Sequence, residues 1–352
     1  MKLLIITQSI DENNPICGFF LDWVLEFSRN CEKVTVICLE EGKHSLPENI
    51  KVLSLGKEKG ENNFKYILNF YRYIWKERGN YDNVFVHMNQ VYVIMGGLFW
   101  KLWNKKIALW YAHGSIPFAL RIAEKMTDIV FTASKESFRL ESGKVKVVGH
   151  GIDVNKFKVE SEKLKVDREN FKIVTIGRIS PVKDYETLIK AVEYLKNKGK
   201  LNFIVDIIGG AGVESDVAYM EKLKKEVEDK SLGDKIKFLG KIPNREIPEY
   251  LNNHDLFVHM SKTGSLDKAV LEAMAGGLPI LSCNDASKDL VGDIDENMLF
   301  AVGDYEDLAE KMKIFISTPD EPLASLGERL RVRVTEEHGL QRLVGVIIKK
   351  YS

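Results

Sequence analysis

Short apolar runs alternate along this chain with longer stretches in which apolar residues recur every three or four positions, the pattern of βαβ units on a parallel sheet. Runs at 2–7, 33–39, 83–88, 106–111, 128–132 and 145–148 predict strands. Helices are expected between them near 18–29, 63–79, 91–103, 116–126 and 134–141. The charged, apolar-poor stretch 155–170 interrupts the rhythm and reads as a linker. The alternation restarts at 171–177, with strands near 203–208, 235–239, 255–259, 278–282 and 298–302. Helices are expected near 184–197, 215–229, 245–252, 268–276, 304–317 and 339–351. The pattern predicts an α/β chain of two doubly wound halves, 1–155 and 170–336. The last helix, 337–352, is expected to pack back on the first half. Two such halves predict a ligand cleft between them.

Composition narrows this picture. The chain has 352 residues, more than one core usually serves. Fifty-one basic residues balance fifty-one acidic ones, so nothing global argues for a nucleic-acid partner. Cys17, Cys31, Cys38 and Cys283 form no C-x-x-C pair, which argues against a zinc or redox motif and suits buried thiols in a reducing cytosol. The N-terminus meets polar residues too soon for a signal peptide and reads as a first strand. The longest apolar run, 91–100, is about half of a membrane span. A cytoplasmic protein is expected.

The densest candidate chemistry lies in 261–280. The small-residue loop Thr263-Gly264-Ser265, continued by Leu266, precedes a predicted helix carrying Lys268 and Glu272. Free amides at a helix N-terminus suit phosphate, whereas a carboxylate suits sugar or ribose hydroxyls. Phosphate beside polyol points to a nucleotide or nucleotide sugar. Gly177 and Arg178 close the first strand of the second half, and Lys183 follows in the same loop, where parallel sheets bind ligands. Arg grips a diphosphate through two N–H groups and Lys adds a point charge. The bland alternative is a solvated basic loop. The glycine-rich strand end 207–212, with Gly210, either approaches a phosphate or merely turns the chain. It lacks the G-x-G-x-x-G spacing of a dinucleotide site.

His113, before Gly114, ends a first-half strand and is a candidate cleft residue. His87 ends another strand and reads as a structural histidine; His259 ends a strand that could face the nucleotide. Scattered histidines without an i,i+4 pair do not indicate a metal cluster, and Asp293-Ile-Asp295 reads as a solvated loop rather than a metal site. Tyr71, Tyr73, Trp75 and Lys76, with Trp100, Lys101, Trp103, Lys105 and Lys106, combine rings and cations as a membrane interface does; packing of these rings in the core is the alternative.

Taken together these residues resemble retaining glycosyltransferases of family 4. Gly149-His-Gly-Ile-Asp153 with Phe157 is similar to the family's N-G-[VI]-D…F segment. Gly177-Arg178…Lys183-Asp184…Leu188-Ile189 is similar to its G-R…K-G…L-I motif, and Phe238-Leu-Gly240 with Ile242 to its F-x-G-x-V strand. Leu271-Glu-Ala-Met-Ala-Gly276 with Pro279 is similar to L-E-A-M-A-x-G-x-P. The resemblance implies a GT-B fold, two Rossmann-like domains facing a central cleft. It implies transfer of a sugar from a nucleoside diphosphate sugar to a hydroxyl acceptor. A lipid-linked glycan or polysaccharide precursor at the inner face of the cell membrane is one candidate acceptor. No further cofactor and no metal are implied.

By the same resemblance, Arg178, Lys183, Glu272 and His113 would be the catalytic residues. Gly18, Gly177, Gly210, Lys241, Ile242, Thr263, Gly264, Ser265, Leu266 and Lys268 would line the donor. One position departs from the pattern: Gly264 stands where the family carries the first of two glutamates. Two alternatives follow, a non-catalytic nucleotide- or partner-binding subunit and a GT-B-like sugar-nucleotide epimerase.

Overall fold

The computed structural model describes residues 1–14, 17–157, 170–199, 201–262 and 266–351. The chain divides into two compact units. One comprises Met1–Asp153, Pro243–Arg245 and Glu337–Ser352; the other Val154–Ile242 and Glu246–Glu336.

The first unit runs β1 (Lys2–Ile10), α1 (Phe20–Asn30), β2 (Lys33–Glu41), β3 (Ile50–Ser54), α2 (Asn63–Lys76), β4 (Asn83–His87), α3 (Val91–Leu102), β5 (Lys106–Trp110), α4 (Phe118–Met126), β6 (Ile129–Thr132) and β7 (Val145–Val147). The second runs β8 (Phe171–Ile176), α5 (Tyr185–Lys198), β9 (Phe203–Ile208), α6 (Glu214–Asp229), β10 (Ile236–Gly240), α7 (Ile247–Asn252), β11 (Leu256–His259), α8 (Lys268–Ala275), β12 (Ile280–Ser282), α9 (Asp285–Val291), α10 (Tyr305–Ser317) and α11 (Asp320–His338). Helix α12 (Leu340–Tyr351) closes the chain.

Both sheets are parallel. The first has the order β3-β2-β1-β4-β5-β6-β7, the second β10-β9-β8-β11-β12. A parallel sheet covered by helices must be apolar on both faces. Alternation along β1 shows how: Leu3 and Ile5 face a core shared with α1 and α12, whereas Leu4 and Ile6 face the core beneath α2, α3 and α4. Helix α12 packs on α1 within the first unit. It is pinned there by Tyr351, whose hydroxyl donates to the Val84 carbonyl at 2.7 Å and whose own carbonyl accepts from Lys106 at 2.7 Å.

In each sheet strand order reverses beside the first strand, between β1 and β4 and between β8 and β11. At such a reversal the loops leaving neighbouring strands diverge to opposite faces and open a crevice at the carboxyl edge.

Several expected elements differ. Residues 134–141 form turns, not a helix, and 298–302 contribute one bridge, Leu299 with Ser282, rather than a strand. Strand β3 and helices α9 and α11 were not expected from the pattern. All four cysteines are free, and all but Cys17 are buried.

Candidate functional site

The loops at the carboxyl edge of the second sheet begin as a ribbon of glycines. Gly177 N–H donates to the Ile208 carbonyl, Ile179 N–H to Gly210 and Gly209 N–H to Gly240, at 3.0, 3.0 and 2.8 Å. Gly209 has φ +147°, and a Cβ there would lie 1.8 Å from the Gly177 carbonyl oxygen. Only glycine lets the two backbones approach so closely. Gly210 lies against the side chain of Lys241, and Lys241 and Ile242 follow β10 directly. Arg178 lies across Gly212, where a Cβ would come within 2.1 Å of Arg178 Cδ. Arg178 Nε is 3.7 Å from Asp216, which also accepts from Gly212 N–H at 3.3 Å. About half of the Arg178 side chain, 52%, is exposed.

The loops leaving β8 and β11 flank the strand reversal and, among the described residues, are joined by three polar contacts. Lys262 N–H donates to the Val182 carbonyl at 3.1 Å, Lys262 Nζ pairs with Asp184 at 2.9 Å, and Lys183 Nζ pairs with Asp267. Asp184 adopts a left-handed backbone, φ +51°, and accepts from Thr187 Oγ1 at 2.8 Å. This is the position at which the family pattern carries glycine; here two side-chain contacts hold an aspartate in the same conformation. Asp267 also accepts from His259 Nε2 at 2.6 Å, and His259 Nδ1 is 3.1 Å from Ser282 Oγ, which reaches Ser287 Oγ at 2.9 Å. Burial alone would push the Asp267 carboxyl up. The His259 hydrogen bond and charge, followed by Lys183, outweigh it and hold the carboxyl well below the usual range.

Leu266 is buried. Beyond Asp267, helix α8 presents Glu272, 6% exposed and paired with Lys268 one turn earlier. Thr263, Gly264 and Ser265 lie outside the described residues.

In the first unit, His113 follows β5 and is exposed. Its Nδ1 accepts the Ser115 backbone N–H at 3.1 Å and lies 2.8 Å from Ser115 Oγ. A backbone N–H can only donate, so a neutral His113 carries its proton on Nε2. Gly18 sits in the turn between β1 and α1, its N–H donating to the Asn14 carbonyl at 2.9 Å. His87, at the end of β4, is core: it is stacked on Phe20 with ring centroids 3.9 Å apart.

The structure redraws the aromatic and basic surface. Trp100 is fully buried and donates to Tyr81 Oη at 3.2 Å, so it is a core residue. Lys105 is held by the Tyr81 carbonyl and Lys106 by that of Tyr351. Trp75 stays exposed, in edge contact with Trp103 at 5.6 Å. Asp293 pairs with Arg333 at 2.7 Å, and Asp295 caps a short turn by accepting from Asn297 N–H at 2.9 Å.

The pattern of Gly177, Arg178, Lys183 and Glu272 pointed to this edge of the sheet. It did not indicate Asp216, Lys262 or the joint role of Asp267 and His259, whose contacts join segments far apart in sequence. The one available signal was Asp267 itself, a charged residue just before a helix whose only charged residues are Lys268 and Glu272.

Among solved structures, the fold is similar to that of HepE from Anabaena, solved with UDP, with a TM-score of 0.78 and 18% identity over 99% of each chain. Among curated proteins, 2-deoxystreptamine glucosyltransferase of Streptomyces kanamyceticus is 27% identical over 50% of this chain and 44% of its own. A putative colanic acid biosynthesis glycosyltransferase of Escherichia coli is 25% identical over 56% of this chain and 48% of its own. The chain thus spans about half the length of the curated relatives it matches. Residues 156–333, half of the chain, match the family described as glycosyl transferases group 1. They contain the glycine ribbon, Arg178, Lys183 and Glu272, and the chain belongs to that family.

Proposed function

We propose that this chain is a retaining glycosyltransferase that moves a sugar from a nucleoside diphosphate sugar to a hydroxyl acceptor. The observation that carries the reading is the pair Arg178 and Lys183, set in one loop beside the strand reversal of the second sheet.

Breaking a glycosidic bond to a diphosphate leaves negative charge on the phosphate oxygens, and stabilising that charge is the main electrostatic task. Arg178 offers a planar set of N–H donors and Lys183 a point charge. Both are paired with carboxylates, Asp216 and Asp267, which hold the cations in place until a diphosphate competes for them. Glu272 would accept the ribose hydroxyls. Nε2–H of His113 would donate to a hydroxyl of the donor sugar. Gly18, Lys241, Ile242, Leu266 and Lys268 would line the donor, together with the amides of 263–265. No carboxylate nucleophile is invoked: the leaving phosphate would take the acceptor proton on the same face. No divalent ion is required at the chemical step, because the cations belong to side chains.

Relatives named for colanic acid biosynthesis favour a glycan or polysaccharide precursor as acceptor; that it is lipid-linked and met at a membrane surface is our own reading. A similar structure solved with UDP and with UDP-glucose makes UDP-glucose the first donor to try. The test is thermal shift against UDP-, GDP- and ADP-sugars, followed by nucleoside diphosphate release with the best donor. Stabilisation by one nucleotide and turnover that Arg178→Ala removes are expected. Stabilisation without any turnover over a panel of acceptors would favour a nucleotide-binding subunit instead.

A further inference from the structure

Helices α2 and α3 carry more apolar surface than their cores consume. Helix α2 buries Phe70 and Ile74 and turns a second stripe, Phe64, Leu68, Tyr71 and Trp75, outward at spacings of four, three and four. Helix α3 does the same with Val91, Leu98 and Leu102. Phe64, Leu68, Trp75, Leu98 and Leu102 are each more than half exposed. The two helices touch beside these stripes: Tyr71 packs edge-on to Phe99 at 5.7 Å, and Trp75 to Trp103, just past the end of α3, at 5.6 Å. A groove of about 550 Å³ runs between them, with Arg72 and Lys76 at its rim. The exposed large apolar residues of the second unit, such as Val182, Val213 and Ile314, are scattered among its elements. A contiguous apolar patch marks an interaction surface, whereas single residues do not.

Charge identifies the occupant. Neither α2 nor α3 contains an acidic residue, although the whole chain is neutral. Arg72, Lys76 and Lys101 have no ion-pair partner among the described residues. A second copy of this chain docked through the same face would set these cations against their own counterparts, because a two-fold interface is self-complementary. An anionic bilayer meets both features, rings and aliphatic tips at the acyl boundary and cations among the headgroups. We propose that the outer face of α2 and α3 docks this protein on an anionic lipid surface. It differs from the surface the sequence suggested, because Trp100, Lys105 and Lys106 are engaged elsewhere. The proposal rests on the lipid-linked acceptor reading for its purpose, not for its chemistry.

The experiment is co-sedimentation of the full chain with phosphatidylglycerol or phosphatidylcholine vesicles at low and high salt. Calorimetric titration with UDP on the same preparation shows whether the nucleotide site is intact. Wild type should pellet with phosphatidylglycerol at low salt and be released by salt. Leu68→Ser with Leu102→Ser, and separately Arg72→Glu with Lys76→Glu, should each weaken partition by about tenfold or more, as loss of one or two interfacial contacts requires. All substituted side chains are exposed, so UDP binding should not change. Wild type left in the supernatant with phosphatidylglycerol at low salt would overturn the proposal while leaving the nucleotide reading standing. A dimer in solution that either double variant splits would also overturn it, in favour of a second copy on this face.

Discussion

His259 Nε2 lies 2.6 Å from Asp267 Oδ2, and the same oxygen pairs with Lys183 on the opposite side of the strand reversal. One partly buried carboxylate thus ties the loop after β8 to the loop after β11. Removing Lys183 alone therefore has two effects: it deletes a phosphate-binding cation and leaves Asp267 with one partner fewer. Lys183→Ala is expected to lower stability by about 1 kcal/mol, because the partly buried Asp267 loses one of its two partners. Adding Asp267→Asn should recover most of that loss without recovering nucleoside diphosphate affinity. Denaturant unfolding and calorimetry on the single and double variants check this. Affinity that returns with stability would mean that Lys183 is structural.

Arg178 should behave differently. Its side chain is half exposed and its contact with Asp216 is long, so Arg178→Ala should leave stability within about 0.5 kcal/mol of wild type. Loss of a charge-assisted phosphate contact costs about 1.5–3 kcal/mol, so nucleoside diphosphate affinity should fall about tenfold or more. Arg178→Lys should restore only part of it, because an ammonium cannot reproduce the two-pronged grip.

Glu272 is expected to bind ribose rather than attack the sugar. Glu272→Gln keeps the shape and one acceptor oxygen but breaks the ion pair with Lys268. Weaker donor binding and slower turnover should follow, and intact-mass analysis of wild type during turnover should show no sugar ester. An adduct on Glu272 would contradict the assignment.

Stability of the first unit should fall in mild acid. Burial pushes His87 down to about 3, and burial with the nearby Arg342 charge brings His338 to about 4. The unfolded chain binds these protons near pH 6.5, so it holds more protons than the folded one between about pH 6.5 and the folded values. Stability is therefore full above pH 6.5 and declines as pH falls toward 3. His87 alone accounts for a loss on the order of 3 kcal/mol by pH 4. Denaturant unfolding at pH 7, 6, 5 and 4 should show a shallower decline in His87→Gln than in wild type. An equal slope would remove His87 as its source.

The fold was largely legible in the sequence because buried parallel strands carry continuous apolar runs, as at 3–6 and 107–110. What the pattern missed has specific causes. Strand β3 is an edge strand with polar positions, Ile-Lys-Val-Leu-Ser, and α11 is so rich in charge that its apolar positions do not form an obvious stripe. Strand 298–302 failed because its pairing stops at one bridge to Ser282, made by Leu299 and the Phe300 N–H. Within the site, Gly177, Arg178 and Glu272 stand in local motifs that sequence exposes. Lys183 with Asp267 spans 84 residues, and their proximity follows only from strand order. The burial of Trp100 was equally hidden: its i,i+3 relation to Trp103 fits either face of a helix until Tyr81 supplies a hydrogen-bond partner beneath it.

The most direct test of the account is calorimetric titration of UDP, GDP and ADP into wild type, Arg178→Ala and the double variant Lys183→Ala with Asp267→Asn. One nucleotide should bind wild type, and both variants, folded to near wild-type stability, should bind it about tenfold or more weakly. Wild-type affinity in both variants would contradict the account and remove the loop after β8 from the nucleotide site.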